Sequence, residues 1–519
     1  MTGDVRVAGD TSTAPASPRV TTSTATAAVP SSLLARALNA DVSQPLAFAA
    51  LALAYVVSRA PFINISYGTD PDAWRVALTG YWLWDHHEYY PSRLPGYPVP
   101  ELASAAVIKG GWLATNSLTL LVSVLGLWFF ARLVRELRLP VPALTVVGFA
   151  FTPLLWINSM TTMDYMWALT FVLGCYYFLL KQQAVAAGLM LGLAAASRST
   201  SLLFILPFAI YLIRDGRRRD LRDFVVWAIF VPVIAYLPVA WRYGPKFLSF
   251  YDAKVGYLNV MRLLGKDCLG VFGSVAVLAA AALSLPRLAR LPSDFWRDKH
   301  VMLWALMIAV TLMIFFRLPH ESAYLIPLYP FGFFVMARYF RAWAYAAAVA
   351  AIIVAGFVDI TTPGDDLDAS AIRSADIGAG LVLSNRDTMR AQLRYTDAID
   401  RFDIPDNAVA AIGFSYPQFA VRFRDKYEVD ILEEDKDSIS QLSDKGKLED
   451  KARSRTFVWL LPWKQWEDYR KENRTYWYTL DANRSTVNIY DYRPGLVGGR
   501  LIDIPGAPSG GAGTARTDR

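Results

Sequence analysis

Two carboxylates two residues apart, Asp70 and Asp72, stand in the polar, aromatic stretch NISYGTDPDAWRVALTGYWLWDHHEYYPSRLPGYPVPE, residues 64–101. Pro71 between them fixes φ, so the backbone joining the two side chains is stiff. Neighbouring carboxylates raise each other's proton affinity unless a cation or a hydrogen-bond donor sits between them. The pair suits a general base beside an acceptor hydroxyl, a set of ligands for a divalent cation such as magnesium or manganese, or both. The plainer alternative is an Asx-type turn that caps a helix beginning near Ala73. His86, His87 and Glu88 also have the chemistry of metal ligands, but consecutive side chains rarely converge on one ion, and a solvated loop is the better expectation for them.

The elements that must hold these residues are apolar. The chain has 519 residues, is 54% hydrophobic and 19% charged, and has a mean hydropathy of +0.28. A soluble chain of this size carries closer to ~25% charge. Apolar runs of membrane length recur along it, which makes it a polytopic α-helical membrane protein with about eleven transmembrane helices. The runs are Leu46–Phe62, Trp112–Leu133, Val141–Ile157, Tyr165–Leu180, Val185–Ala196, Ser201–Ile213, Phe224–Trp241, Leu269–Leu285, Val301–Phe316, Tyr324–Ala337 and Trp343–Val358. The net charge of +7 is explained by basic loops facing anionic lipid, without nucleic acid. Cys175 and Cys268 fall in or beside apolar runs, which argues against a disulfide framework or a zinc site.

The domain plan is a disordered cytoplasmic tail over residues 1–42, a transmembrane domain over 43–358 with a first outer loop at 63–111, an extracytoplasmic α/β domain over 359–505, and a disordered tail over 506–519. The first tail lacks the basic-then-apolar order of a cleaved signal peptide. In the α/β domain, Asn385–Arg401 reads as an amphipathic helix. Ala408–Ile412, Glu428–Leu432 and Thr456–Leu460 read as buried strands, with polar helices around Asp437–Lys445 and Trp463–Lys471.

Sidedness turns on Ser197-Arg198-Ser199. A helix break there puts Arg132, Arg135, Arg138, Lys181, Arg214, Arg217–Arg219, Arg222, Arg287, Arg290, Arg297, Lys299, Arg338 and Arg341 on one side, the cytoplasm. Asp70 and Asp72 then face outward, together with Trp156–Tyr165, Ser197–Ser199, Arg242–Lys266, Arg317–Ser322 and everything after Asp359.

Four segments, in this order and with this sidedness, resemble the GT-C membrane glycosyltransferases, which take sugars from polyprenyl- or dolichyl-phosphate and include protein O-mannosyltransferases and lipid A aminoarabinose transferases. They are Thr69-Asp70-Pro71-Asp72, Ser92-Arg93-Leu94-Pro95-Gly96-Tyr97-Pro98, the Gly-rich helix 188–198 ending in Arg198, and Arg317-Leu-Pro-His320-Glu321-Ser-Ala-Tyr324 running on to Pro330. The resemblance covers about Leu46 to Ala337. One departure is that the protein mannosyltransferases usually carry Asp-Glu where this chain has Asp-Pro-Asp.

The resemblance implies inverting transfer from a polyprenyl-phosphate-linked donor to a lipid, glycan or protein acceptor at the outer face of the plasma membrane. Asp70 would be the general base, and Asp72 would hold the acceptor or a divalent cation. Outer loops are normally poor in Lys and Arg, so Arg93, Arg317, Lys254 and Arg198 are candidates to receive the lipid phosphate, with interfacial snorkelling as the alternative. His320 could hydrogen-bond the phosphate or the sugar, or be an ordinary interfacial histidine. Asp164, Glu101, Tyr97, Glu321 and Tyr324 are candidates for binding the sugar or the acceptor, with a helix cap as the modest alternative for Asp164. Phe247–Leu264 could lie in the interface as an amphipathic helix where a lipid tail enters.

A transporter or flippase of a lipid-linked sugar is the rival. It would favour paired half-repeats and polar residues at mid-membrane, whereas this chain shows no repeat and gathers its polar residues in outer loops. A receptor whose spans only anchor it would not need so many of them.

Overall fold

The computed structural model describes residues 38–248, 255–361, 374–399, 409–412, 416–423, 457–460 and 487–490. Residues 1–37 of the first tail, the tail at 506–519, the strand at 428–432 and the polar helices around 437–445 and 463–471 lie outside the described residues.

The membrane domain begins with α1 (Pro45–Ile63), whose Pro45 sits where a missing N–H costs nothing. Two shorter helices, α2 (Pro71–His86) and α3 (Pro98–Val107), follow before α4 (Gly111–Glu136). The expected run Val141–Ile157 is two helices, α5 (Pro142–Ala150) and α6 (Pro153–Asn158), and not one span. Pro153 cannot donate to the ladder, and the Thr152 hydroxyl donates to the Gly148 carbonyl at 2.7 Å, so the turn ends there. Next come α7 (Tyr165–Leu180), α8 (Ala184–Ser197), α9 (Ile205–Arg214) and α10 (Arg218–Tyr243). The expected break falls at Arg198, which is extended (φ −156°, ψ 110°). The Gly-rich face of α8 exists because α10 lies against it: a Cβ on Gly188 would come 2.5 Å from the Phe224 carbonyl oxygen, and one on Gly192 would come 2.6 Å from the Val231 Cβ.

The amphipathic stretch after α10 contains α11 (Tyr257–Leu264). Then come α12 (Lys266–Leu283), α13 (Lys299–Arg317), α14 (Leu328–Tyr339) and α15 (Ala342–Ala355). Inside α12, Gly270 has φ +75°, and the buried carboxylate of Asp359 accepts the Val271 and Phe272 N–H groups at 2.7 and 3.1 Å. Those donors would otherwise be orphaned at the kink.

Among the described residues, five segments are long and apolar enough to cross a membrane: Pro45–Ile63, Pro98–Glu136, Arg218–Tyr243, Lys266–Leu283 and Lys299–Arg317. Tyr165–Leu180, Ala184–Ser197, Ser199–Arg214 and Ala342–Ala355 are apolar but shorter. The protein is an integral, polytopic, mostly helical membrane protein. The interior is aromatic where α4, α5 and α14 meet, with Phe130 stacked between Phe149 and Phe334 at ring distances of 3.9 and 5.2 Å. Arg59 of α1 is fully buried, donates to Ser159 Oγ and the Tyr55 and Ala150 carbonyls, and packs over the Tyr55 and Trp156 rings.

After α15, strand β1 (Val358–Thr361) pairs antiparallel with β2 (Asp376–Ala379) and leads into α16 (Leu381–Ile399). Strands β3 (Val409–Ile412), β4 (Phe457–Leu460) and β5 (Val487–Tyr490) form a parallel sheet in that order, as alternating β and α segments require. Helix α17 (Tyr416–Phe423) packs on α2, and α16 packs on α6, so the C-terminal segment rests on the loop that bears the two aspartates.

Candidate active site

The loop into α2 is fixed one carbonyl at a time. Asn116 of α4 donates to the carbonyls of Ile63 and Ser66 at 3.0 and 2.8 Å. The Thr162 N–H donates to the Tyr67 carbonyl at 2.8 Å, and the buried Trp74 indole donates to that of Gly68 at 3.0 Å. Asp70 follows as the N-cap of α2, its Oδ1 accepting the Asp72 N–H at 2.8 Å. The capping and chemical readings of Asp70 therefore coexist, because the cap engages Oδ1 alone.

Around Asp70 the structure gathers three carboxylates. One oxygen each from Asp70, Asp72 and Glu321 lies within 4.8 Å of the others. Burial, then the charges of Glu321 and Asp72, push the Asp70 carboxyl well above the usual carboxylate range, and Arg93 and the Asp72 N–H only partly oppose this. A carboxyl poised in this way takes up a proton more readily than an exposed one.

Beside the acids runs an alternating chain of charges. Arg75 pairs with Asp72 Oδ1 at 2.8 Å, and Arg93 Nε pairs with Asp72 Oδ2 at 2.8 Å. Arg93 Nη2 reaches Asp164 Oδ1 at 2.8 Å, and Arg198 Nη1 reaches Asp164 Oδ2 at 2.7 Å. Asp164 is fully buried at the start of α7 and holds two guanidiniums from different elements. Aromatic faces complete the fit: Arg93 lies 4.0 Å from the Tyr97 ring centre, and Arg198 lies 4.3 and 4.5 Å from those of Tyr165 and Tyr324. Tyr165 donates its hydroxyl to Glu321, which links the arginine side of the site back to the acids.

Sequence reasoning nominated Asp70, Asp72, Glu321, Arg93, Arg198, Asp164, Tyr97 and Tyr324, and the structure brings these together. Besides Glu321, two more of the sugar or acceptor candidates have their carboxylates engaged by the protein. Both oxygens of Asp164 are taken by guanidiniums, so its place is behind the arginines. Glu101 is fully buried and accepts from the Ser92 N–H at 2.9 Å, from the Ser92 hydroxyl and from Tyr89, which makes it the anchor of the loop that presents Arg93. In that loop Gly96 has φ +97°, and a Cβ there would lie 3.2 Å from the Pro91 Cβ. Arg317 and His320 are exposed just before Glu321. Lys254 lies outside the described residues. His86 stacks on Trp82 at 3.9 Å and Glu88 reaches Arg242 at 3.5 Å, so these two neighbours point to different partners.

Arg75 and Tyr165 were not anticipated. Arg75 sits one helical turn after Asp72, a spacing that could have identified it. Nothing in the sequence marks Tyr165. The three clustered carboxylates are hard oxygen donors that fit a divalent cation, and a bound cation would relieve the mutual repulsion that raises Asp70.

No protein-family model and no curated protein matches the chain. Among solved structures it is similar to ArnT from Cupriavidus metallidurans, a crystal structure bound to undecaprenyl phosphate. That likeness is 12% identity over 75% of this chain and 86% of that one, with a TM-score of 0.49. It is too slight to assign a reaction, and the geometry above stands without it.

Proposed function

We propose that the protein is an inverting membrane glycosyltransferase of the GT-C kind, moving a sugar from a polyprenyl-phosphate carrier to a hydroxyl acceptor at the outer face of the plasma membrane. The observation that carries this reading is one juxtaposition of half-buried groups: a carboxyl with raised proton affinity, Asp70, within electrostatic reach of the ring-backed Arg93, which Asp164 ties to the ring-backed Arg198. An acid cluster alone would suggest a cation site, and an arginine cluster alone would suggest an anion site. Together they suit a reaction that removes a proton on one side and releases a phosphate on the other.

In this reading Asp70 takes the proton from the acceptor hydroxyl as its oxygen attacks the anomeric carbon. The bond from that carbon to the phosphate oxygen breaks, and the electron pair stays on the phosphate. Arg93 and Arg198 receive the developing charge, so the leaving phosphate needs no proton. Asp72 and Asp164 hold the guanidiniums in place, and Tyr97 and Tyr324 wall the site. Asp70, Asp72 and Glu321 are the residues that would hold magnesium or manganese, whose chemistry would be to neutralise charge on the phosphate. The sugar and the acceptor are found by profiling envelope lipids and glycans of cells lacking the protein. The expected result is one saccharide missing from one carrier with its polyprenyl-phosphate donor accumulated, and an unchanged profile would contradict the proposal.

A further inference from the structure

The carbonyls of Ile63, Ser66, Tyr67 and Gly68 are held from within the membrane domain, but the last one before Asp70 is not. The Thr69 carbonyl accepts from Gln392 Nε2 at 2.8 Å, and the Thr69 hydroxyl accepts from Asn385 Nδ2 at 2.9 Å. Both donors belong to α16, more than three hundred residues along the chain. The Thr69 carbonyl shares its peptide plane with the Asp70 nitrogen. Whatever orients that carbonyl therefore sets the direction in which the Asp70 backbone enters its cap.

Helix α16 is built for this placement. Val382, Asn385, Met389 and Gln392 fall on one helical stripe. Val382 and Met389 are buried there, at 0% and 2% exposure, and the two amides are the polar members of the stripe. The start of the helix is tied to the end of α15, with the Gly380 N–H donating to the Phe357 carbonyl and the Val382 N–H to that of Gly356, each at 2.8 Å. The helix thus spans from the end of the last membrane helix to the loop after the first.

We infer that Asn385 and Gln392 are positioning residues for the acidic site: through Thr69 they fix the peptide that carries Asp70, making the C-terminal segment part of the transfer machinery. This rests on the function proposed above. Neither amide touches the Asp70 carboxylate, so their effect is on its placement.

The test uses the full chain in lipid nanodiscs, comparing wild type with Asn385→Ala, Gln392→Ala, the double variant and Thr69→Val. Hydrogen exchange over residues 66–73 is measured alongside exchange over α4. The double variant is expected to exchange roughly ten-fold faster at 66–73 with α4 unchanged. With a polyprenyl-phosphate sugar, kcat is expected to fall roughly ten- to hundred-fold while the donor KM stays within about two-fold. Thr69→Val and Asn385→Ala are expected to be non-additive, since they remove two ends of one hydrogen bond. Unchanged exchange at 66–73 with kcat within about two-fold of wild type overturns the inference. Faster exchange throughout α4 also overturns it, since the amides would then support the fold generally. If the wild type transfers no sugar from such donors, the proposed function fails, and the exchange measurement alone decides whether α16 holds the loop.

Discussion

Asp70 has its chemistry set by neighbours that are remote in sequence. Glu321 is a principal source of its raised proton affinity after burial. Replacing that charge, Glu321→Gln, lowers the affinity of Asp70 for its proton. The acid limb of the transfer-rate profile therefore moves to lower pH, and a pH series on the variant against wild type measures the move. Asp164 holds two arginines with one buried carboxylate, and removing one partner of a buried pair typically costs about 3–5 kcal/mol. Asp164→Ala should lower the melting temperature and raise the donor KM about ten-fold or more, because Arg93 and Arg198 lose their shared anchor. At this scale the residue types were legible. Asp70, Asp72, Arg93 and Arg198 stand out as charges in loops of an apolar chain. Their pairing was not legible, because Asp164 is separated by 71 residues from one arginine and by 34 from the other. The partners of Asp164 and Glu101 were hidden for the same reason: tertiary contacts set them, and sequence neighbours do not reveal them.

Elements carry these residues to the site, and their boundaries follow local rules. Run Tyr165–Leu180 matches α7 residue for residue, and the break at Arg198 was visible from charge bias. The break at Pro153 is hidden from hydropathy, because the run stays apolar across a proline that cannot continue the ladder. Helix α8 shows why element packing matters to the site. It delivers Arg198 at its end, and Gly188 lets it lie directly on α10. Gly188→Leu should push the two helices apart, at a cost of about 1–3 kcal/mol. Both the melting temperature and transfer activity are expected to fall, read by a thermal melt and an assay of the same sample.

For the molecule as a whole, the proposed transfer requires the acid and arginine cluster to face outward, opposite the basic loops. Cys175 and Cys268 are buried, so a single introduced cysteine would report with low background. Asp85→Cys, exposed in the α2 segment, should react with an impermeant thiol reagent in intact cells. Arg222→Cys, whose parent side chain is 83% exposed, should react only after the membrane is opened. The overall plan, spans first and a mixed α/β segment last, was legible from hydropathy and charge. What lay beyond reach was that the last part returns to the first, with α16 and α17 resting on the loop and helix that begin at Asp70. Contacts that long in sequence leave no periodic trace. The most direct measurement is transfer from a polyprenyl-phosphate sugar by the protein in nanodiscs, wild type against Asp70→Asn, with donor binding measured on the same samples. Donor binding is expected to stay close to wild type, and the rate to fall by about 10²- to 10⁴-fold. Asp70→Asn transferring sugar at the wild-type rate would contradict it.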